Sequence, residues 1–427
     1  MVGGGPAGLT AAARTGELGS EAILLEKMDR PGIKLSITGK GRCNITNIAS
    51  VDDFIAHFGK NGNFLRQAFF RFFSSDLLHL LENLGIKTVE ERGGRIFPSS
   101  EQASDIVDAL LRWNEKSGVS IRARTKVIEL IVESGKLTGV EIDHYTKHCT
   151  VPADAVVLAT GGVSYPGTGS SGDGYRLAEA VGHTVIPVRQ ALVPLETMGP
   201  TAAALQGLSL KNVTLSIEID GKRKASRFGE MLFTHFGLSG PVVLSLSQIG
   251  VDALREKRVV EFSIDLKPAL DEQRLDVRIL RDIREHQAMQ AKSLVKRLLP
   301  GKLVFVALEA VGLDPEKPVH QISAEERRRL GKWLKNFRFQ VKKPRPMSEA
   351  IVTAGGIHLK ELNPRTMESL VVKGLYFAGE ILDVNADTGG FNLQAAFSTG
   401  WLAGESAAKR VCLSEDSGSV QNLRNDP

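Results

Sequence analysis

Three cysteines in 427 residues (Cys43, Cys149 and Cys412) are too few and too scattered for a disulfide framework, and their odd number reads as a reduced chain. No Cys-x-x-Cys pair occurs, which excludes the dithiol relay of disulfide-reducing flavoenzymes. No zinc-like His/Cys spacing and no Gly-x-Ser-x-Gly elbow is present, so neither a metal nor an activated serine is expected. No uncharged run approaches the roughly 20 apolar residues that span a bilayer, so no membrane partner is expected. The opening residues also lack the basic-then-apolar pattern of a secretory leader, and the expected location is the cytoplasm.

What remains is an ordinary globular composition with one excess. The chain is 42% hydrophobic and 24% charged, and it carries 43 glycines gathered in a few clusters. Its length exceeds what one hydrophobic core serves, so two or three domains are expected. The net charge of +5 suits an anionic cofactor or substrate without by itself implying nucleic acid.

The first glycine cluster opens the chain. Gly3-x-Gly5-x-x-Gly8 precedes a helix-forming stretch, and Ala22 to Glu26 then reads as a short buried strand. In this fingerprint the first glycine permits a tight turn, the second admits a pyrophosphate to the backbone, and the third lets helix and strand pack closely. Glu26 ends the next strand, where a carboxylate accepts hydrogen bonds from a ribose and disfavours a 2′-phosphate. Only Met1 and Val2 precede the glycines, fewer than the usual strand of about 5–6 residues. The expectation is a start upstream of Met1 or a shortened central strand. A second literal match, Gly167-x-Gly169-x-x-Gly172, comes too late after the apolar run Ala155 to Ala159 to be a nicotinamide turn, and reads as a loop before a helix starting near Asp173.

Periodicity divides the rest. Residues 64–85 and 101–118 read as helices. Ala155 to Ala159 and Gly374 to Glu380 are continuous apolar runs of buried parallel strands, each ending in glycine. Between them the texture changes: Val213 to Asp220 and Val259 to Leu266 alternate, as antiparallel strands do, and residues 271–340 turn helical and charged. The expected layout is α/β and discontinuous. A Rossmann-like dinucleotide-binding domain is built from residues 1–189 and 348–427, with an antiparallel-β, barrel-like and helical domain inserted at 190–347. The polar residues Glu415 to Pro427 are expected to fray.

Other candidates are weaker. The loop from Arg30 to Asn47 mixes glycines, cations and small polar side chains and suits an anion. Cys43 within it is a candidate reactive thiol, although an isolated cysteine is more often a packing residue. His235, in a glycine-punctuated loop, is a candidate titratable group near substrate. Nine Lys or Arg between Gln321 and Pro346 suggest either a patch for an anionic partner or a solvated helix face, and the latter is preferred. A nucleic-acid partner is therefore not expected, and a small-molecule substrate is.

GGGPAG, TGKGRCNITN, ATGG, SSGDGYRLAEAVGH, FTHFGLSGP and GEILDVNADTGGFNLQ occur in that order. Together they resemble the BaiN-like NAD(P)/FAD-dependent oxidoreductases, a family that includes the YhiN-type proteins and aminoacetone oxidase. The resemblance implies a two-dinucleotide-binding-type flavoprotein holding FAD, with the inserted domain covering the flavin. It implies that Gly3, Gly5, Pro6, Ala7 and Gly8 contact the pyrophosphate and Glu26 the adenosine ribose. Lys40, Gly41, Arg42, Cys43 and Asn44 would line the path to the flavin, and Val127 would meet the adenine near Thr160 and Gly161. Gly379, Glu380 and Asp383 would reach the ribityl chain. Gly389, Gly390, Phe391, Asn392 and Leu393 would present a helix start to the flavin's pyrimidine oxygen. The implied activity is hydride transfer through flavin N5, with NAD(P)H a candidate transient reductant. Conjugated C=C reduction and amine oxidation are both represented in the family. A flavin-dependent RNA-modifying enzyme and a non-catalytic FAD-binding protein are the alternatives.

Overall fold

In the structure, a computed structural model, the backbone is described for residues 1–144 and 147–422, and side chains for 1–144 and 148–411. Two compact units divide the chain, Met1–Arg189 with Ile351–Pro427, and Gln190–Ala350. No helix among the described residues is long and apolar enough to cross a membrane.

The first unit begins with α1 (Pro6–Glu17), β1 (Ile23–Leu25), α2 (Ala103–Lys116) and β2 (Ser120–Arg122). A meander follows, β3 (Thr125–Glu133), β4 (Lys136–His144) and β5 (Lys147–Pro152), then β6 (Val156–Leu158) and α3 (Asp173–Ala180). The stretch read as one helix over 64–85 is broken. Separate helices run over Arg66–Arg71 and Ser74–Asn83, because Phe72 turns extended and the Asp76 carboxylate accepts the Phe73 N–H to start the second.

The second unit is a closed antiparallel barrel. Its strands are β7 (Leu195–Thr197), β8 (Ser209–Ile219), β9 (Lys222–Phe233), β10 (Gly237–Ser239), β11 (Val260–Asp265) and β12 (Phe337–Pro344), in the spatial order β7-β10-β9-β8-β11-β12. Alternation drives it: Leu215, Ile217 and Ile219 of β8, Phe262 and Ile264 of β11, and Phe337, Phe339 and Val341 of β12 all point into one core. The helix α4 (Pro241–Arg255) lies between the two stretches expected to be strands, Val213 to Asp220 and Val259 to Leu266. The helices α5 (Glu272–Glu285), α6 (Ala291–Leu298), α7 (Gly301–Val311) and α8 (Ala324–Lys335) supply the helical part. β12 corrects the reading of 271–340 as wholly helical, since its last residues switch to period two and close the barrel against β11 and β7.

The chain then returns to the first unit through β13 (Val352–Ile357), β14 (Leu375–Phe377) and α9 (Phe391–Asn422). Helix α9 runs through most of the segment expected to fray; residues 423–427 lie outside the described residues. The central sheet is parallel, in the order β2, β1, Val2, β6, β14. Val2 acts as a one-residue central strand. Its N–H donates to Val157 O and its carbonyl accepts from Ala159 N, each at 2.9 Å, while Gly3 N donates to Leu25 O at 2.8 Å. Helix α9 lies against α1 through two glycines: a Cβ at Gly400 or Gly404 would fall 2.3 Å from Ala7 O or Ala11 O. The Thr15 hydroxyl also donates to Gly404 O at 3.1 Å, so the two helices approach at backbone distance.

Candidate functional site

The N-terminal loop is shaped by sterics. Gly3 has φ +101°, and a Cβ there would lie 2.6 Å from Ala159 O. A Cβ at Gly8 would lie 1.9 Å from Gly3 O, so the helix meets the turn only because residue 8 is glycine. Gly5 differs. Nothing stands within 4 Å of its missing Cβ, and it caps α1 with no side chain and with Pro6 at the first helical position. The open side of the loop therefore exposes the orphan N–H groups of a helix start, the setting in which a pyrophosphate binds. The Glu26 carboxylate is held there: Oε2 accepts the Gly4 N–H at 2.7 Å and Oε1 the Met28 N–H at 2.8 Å. Each oxygen keeps acceptor capacity for a ribose hydroxyl.

Val127 lies near this end. It is the third residue of β3, whose Thr125 N–H donates to Glu26 O at 2.8 Å. The Thr160 hydroxyl is buried without a hydrogen-bond partner, and Gly161 beside it takes φ +71°. An orphaned buried hydroxyl next to an open phosphate loop fits a site built for a dinucleotide. The second G-x-G-x-x-G segment ends at Gly172, which caps α3. Asp173 is bound by Lys27 at 2.6 Å, so this segment serves as a helix start.

The 39–47 loop is the other wall. Gly39, Lys40, Gly41 and Cys43 all have positive φ, and the loop closes on itself through the Cys43 N–H, which donates to Thr38 O at 3.0 Å. The Asn44 amide, with its oxygen toward Gly390, accepts the Gly390 N–H at 3.0 Å and donates to Thr46 O at 3.3 Å. The Thr46 hydroxyl donates to Gln394 Oε1 at 2.6 Å, and Asn47 donates to Gly389 O at 3.1 Å. A Cβ at Gly390 would sit 2.4 Å from Thr46 O. Three side chains and one missing side chain thus lock the 389–393 turn onto this loop. Asn392 closes the turn on itself, accepting from Ala386 N at 2.9 Å and donating to Ala386 O at 3.0 Å. Phe391 is buried against Phe54 and stacks on His57 at 3.9 Å, and Leu393 packs into the neighbouring core. FAD fits these walls: the glycine loop and Glu26 would hold its adenosine diphosphate, and the 389–393 turn its flavin end.

Three candidates have other attachments. Arg42 is bound by Glu91 and Glu101 and lies over the Phe97 ring at 4.4 Å. Cys43 is wholly buried, and burial pushes its thiol up to about 12 against the opposing Thr38 hydrogen bond. It is a packing thiol and is not placed to meet a substrate. His235 is an exposed residue of the β9–β10 turn, in the second unit, edge-on to Phe236 at 4.9 Å.

Gly379 and Glu380 follow β14. The Gly379 N–H donates to the Thr399 hydroxyl at 3.0 Å, and a Cβ there would lie 2.9 Å from Ala7 Cβ, tying this turn to α1. Glu380 is the hub of a network that the sequence does not announce. Its carboxylate accepts from Lys34 Nζ at 2.6 Å, and from the Ser164 hydroxyl and the Thr353 N–H at 2.8 Å each. Burial works to raise its pKa, but Lys34 and these hydrogen bonds prevail and hold it below the ordinary carboxylate value. Asp383 is shifted the other way: burial raises it, opposed by the Asn61 amide at 3.0 Å. No group of three His, Cys, Asp or Glu among the described residues is placed to hold a metal ion.

Comparison with known proteins agrees with this architecture. The HI0933-like protein Rossmann domain family matches residues 1–406. The ribosomal RNA dihydrouridine synthase of Escherichia coli K12 is 32% identical over 412 residues, covering 95% of this chain and 96% of that one. The 3-dehydro-bile acid delta(4,6)-reductase of Clostridium scindens is 30% identical over 412 residues, covering 96% and 98%. Among solved structures, the 3-ketosteroid delta1-dehydrogenase of Sterolibacterium denitrificans superposes with a TM-score of 0.53 at 14% identity, covering 96% of this chain and 98% of that one, which speaks for the fold. With its glycine loop, its parallel sheet and a full-length family match, this chain belongs to the HI0933-like Rossmann family and is an FAD-dependent oxidoreductase.

Proposed function

We propose that this chain reduces a ring C=C bond conjugated to a carbonyl, and that its acceptor is a uracil in ribosomal RNA. The observation that carries this reading is the chemistry common to its full-length relatives. Dihydrouridine is uridine reduced at C5=C6, a bond conjugated to the C4 carbonyl. A delta(4) bond beside a 3-oxo group is the same array in a steroid. In both, a hydride adds at the β-carbon and a proton at the α-carbon. Bound FAD supplies the hydride chemistry, with NAD(P)H as its transient donor. Amine oxidation runs in the opposite sense and matches neither relative.

Electrostatics favour RNA over a small neutral acceptor. The second unit carries 27 Lys and Arg against 19 Asp and Glu, a net +8, while the first carries 27 against 30, a net −3. A positive unit joined to a slightly negative cofactor unit suits a polyanionic substrate. In this reading Gly3 to Gly8 and Glu26 bind and orient the adenosine diphosphate of the cofactor. Lys40, Gly41 and Asn44 carry the wall onward, and the 389–393 turn, fastened by the Gly390 N–H bond to Asn44, would face the flavin end. Cys43 supports that wall from behind.

The test is anaerobic. Protein reduced by NADH or NADPH is mixed separately with protein-free ribosomal RNA, with uridine and with a 3-oxo-delta(4) steroid, and recovery of the oxidised flavin absorbance is followed. The proposal expects recovery with the RNA and a gain of about 2 Da on a uridine. Recovery with the steroid alone would move the assignment to a small enone.

A further inference from the structure

We propose that the β8–β9 hairpin is a docking surface for the phosphate backbone of RNA, an inference that rests on the RNA reading above. The hairpin exposes Lys211, Lys222, Arg223, Lys224 and Arg227, with Phe228 beside them at 56% exposure. Its two carboxylates near the turn are engaged by arginines of other elements: Glu218 is buried and paired with Arg338 at 3.0 Å, and Asp220 is bound by Arg258 at 2.8 Å. Glu230 lies at the far end of the strand. None of Lys211, Lys222, Arg223 and Lys224 forms an ion pair among the described residues.

The stretch that looks most basic in the sequence is different. Arg327 holds Asp276 at 2.6 Å, Lys335 holds Asp265, and Arg345 holds Glu196 at 2.9 Å and Glu349 at 2.6 Å. Much of its charge is already neutralised inside the protein. The hairpin therefore has the higher density of unneutralised positive charge, although its sequence looks less basic.

Geometry supports the same occupant. Among the described residues β9 pairs with β10 at Leu232 and Phe233 alone, and Val242 of α4 lies against Gly229, so residues 222–228 form an open edge beyond their pairing with β8. An extended cationic edge with an exposed aromatic suits a single-stranded backbone: the cations meet phosphates and the ring stacks on a base. Lysines on an open edge have a second use, since they keep the edge from pairing with another chain. Charge reversal separates the two uses, because glutamates guard an edge as well as lysines but repel phosphate.

The experiment measures binding of protein-free ribosomal RNA to the FAD-loaded full chain between about 50 and 200 mM KCl. Wild type is compared with the triple reversal K222E/R223E/K224E and with Phe228→Ala, each shown to keep the wild-type FAD content and melting temperature. Expected are a loss of about 10- to 100-fold for the reversal, a log–log salt slope shallower by roughly 2, and a loss of about fivefold or more for Phe228→Ala. If wild type binds steeply with salt and the reversal binds equally well, the hairpin assignment is wrong while the RNA reading stands. If wild type itself shows no salt-dependent binding, both are overturned.

Discussion

The two glycine turns of the FAD unit reach their shapes by opposite means. The N-terminal turn is shaped by sterics: a Cβ at Gly8 would strike Gly3 O within the same turn–helix unit, and one at Gly3 would strike Ala159 O at the end of the neighbouring strand β6. The 389–393 turn is held from outside, by Asn44, Thr46 and Asn47, from more than 340 residues earlier in the chain. A turn made by local sterics fails all at once when a side chain is added. A turn made by distributed hydrogen bonds loosens by degrees.

The sharpest way to break that comparison is Gly8→Val. Its Cβ alone would meet Gly3 O at 1.9 Å, so overpacking of about 2 kcal/mol or more is expected, with FAD affinity down by at least about 100-fold. The protein should purify colourless; a yellow product at wild-type stoichiometry contradicts the steric account.

Lys34→Met comes next. It strands the Glu380 carboxylate in a half-buried network, and leaving such a group without its partner costs about 1–3 kcal/mol. The pH dependence has a definite sign. Because Glu380 is held below its ordinary value, its stabilising contribution is complete above roughly pH 4–5 and is lost as pH falls through the folded value. In Lys34→Met that contribution shrinks, so the stability gap between wild type and variant should be full above roughly pH 5 and close as pH falls toward 3, as melting temperatures measured from about pH 3 to 8 would show. Parallel curves for the two proteins would sink the assignment.

Thr46→Val tests the distributed turn. It leaves Gln394 Oε1 without its donor, for an expected loss of about 1–2 kcal/mol and roughly tenfold in FAD affinity by titration. A loss as complete as that of Gly8→Val would show the two turns to be alike. The smallest effect belongs to Cys43→Ala, which should keep FAD and turnover within about twofold. Iodoacetamide at about pH 8 should leave Cys43 unmodified in peptide maps, since burial keeps it a protonated thiol out of reach.

This contrast also explains what was legible in the sequence. The first turn shows in glycine spacing because its physics is local, and the barrel strands β8 and β11 show in their alternation. β12 was absorbed into the charged helical run before it, although Phe337, Phe339 and Val341 mark period two. The Glu380 network joins Lys34 to Ser164 across 130 residues and to Glu380 across 346, and no short-range pattern announces it. Charge density along the chain is ambiguous for a related reason. Nine cations between 321 and 346 look like a patch, but several are paired with carboxylates from other elements, and only the fold shows that.

The most direct test of the central claim is a mass map of dihydrouridine in ribosomal RNA from cells lacking this chain. The account predicts that one uridine stays unreduced in the deletion, about 2 Da lighter than in the parent. The wild-type gene should restore the reduction, and Gly8→Val should not. An identical dihydrouridine map with and without the gene would contradict it.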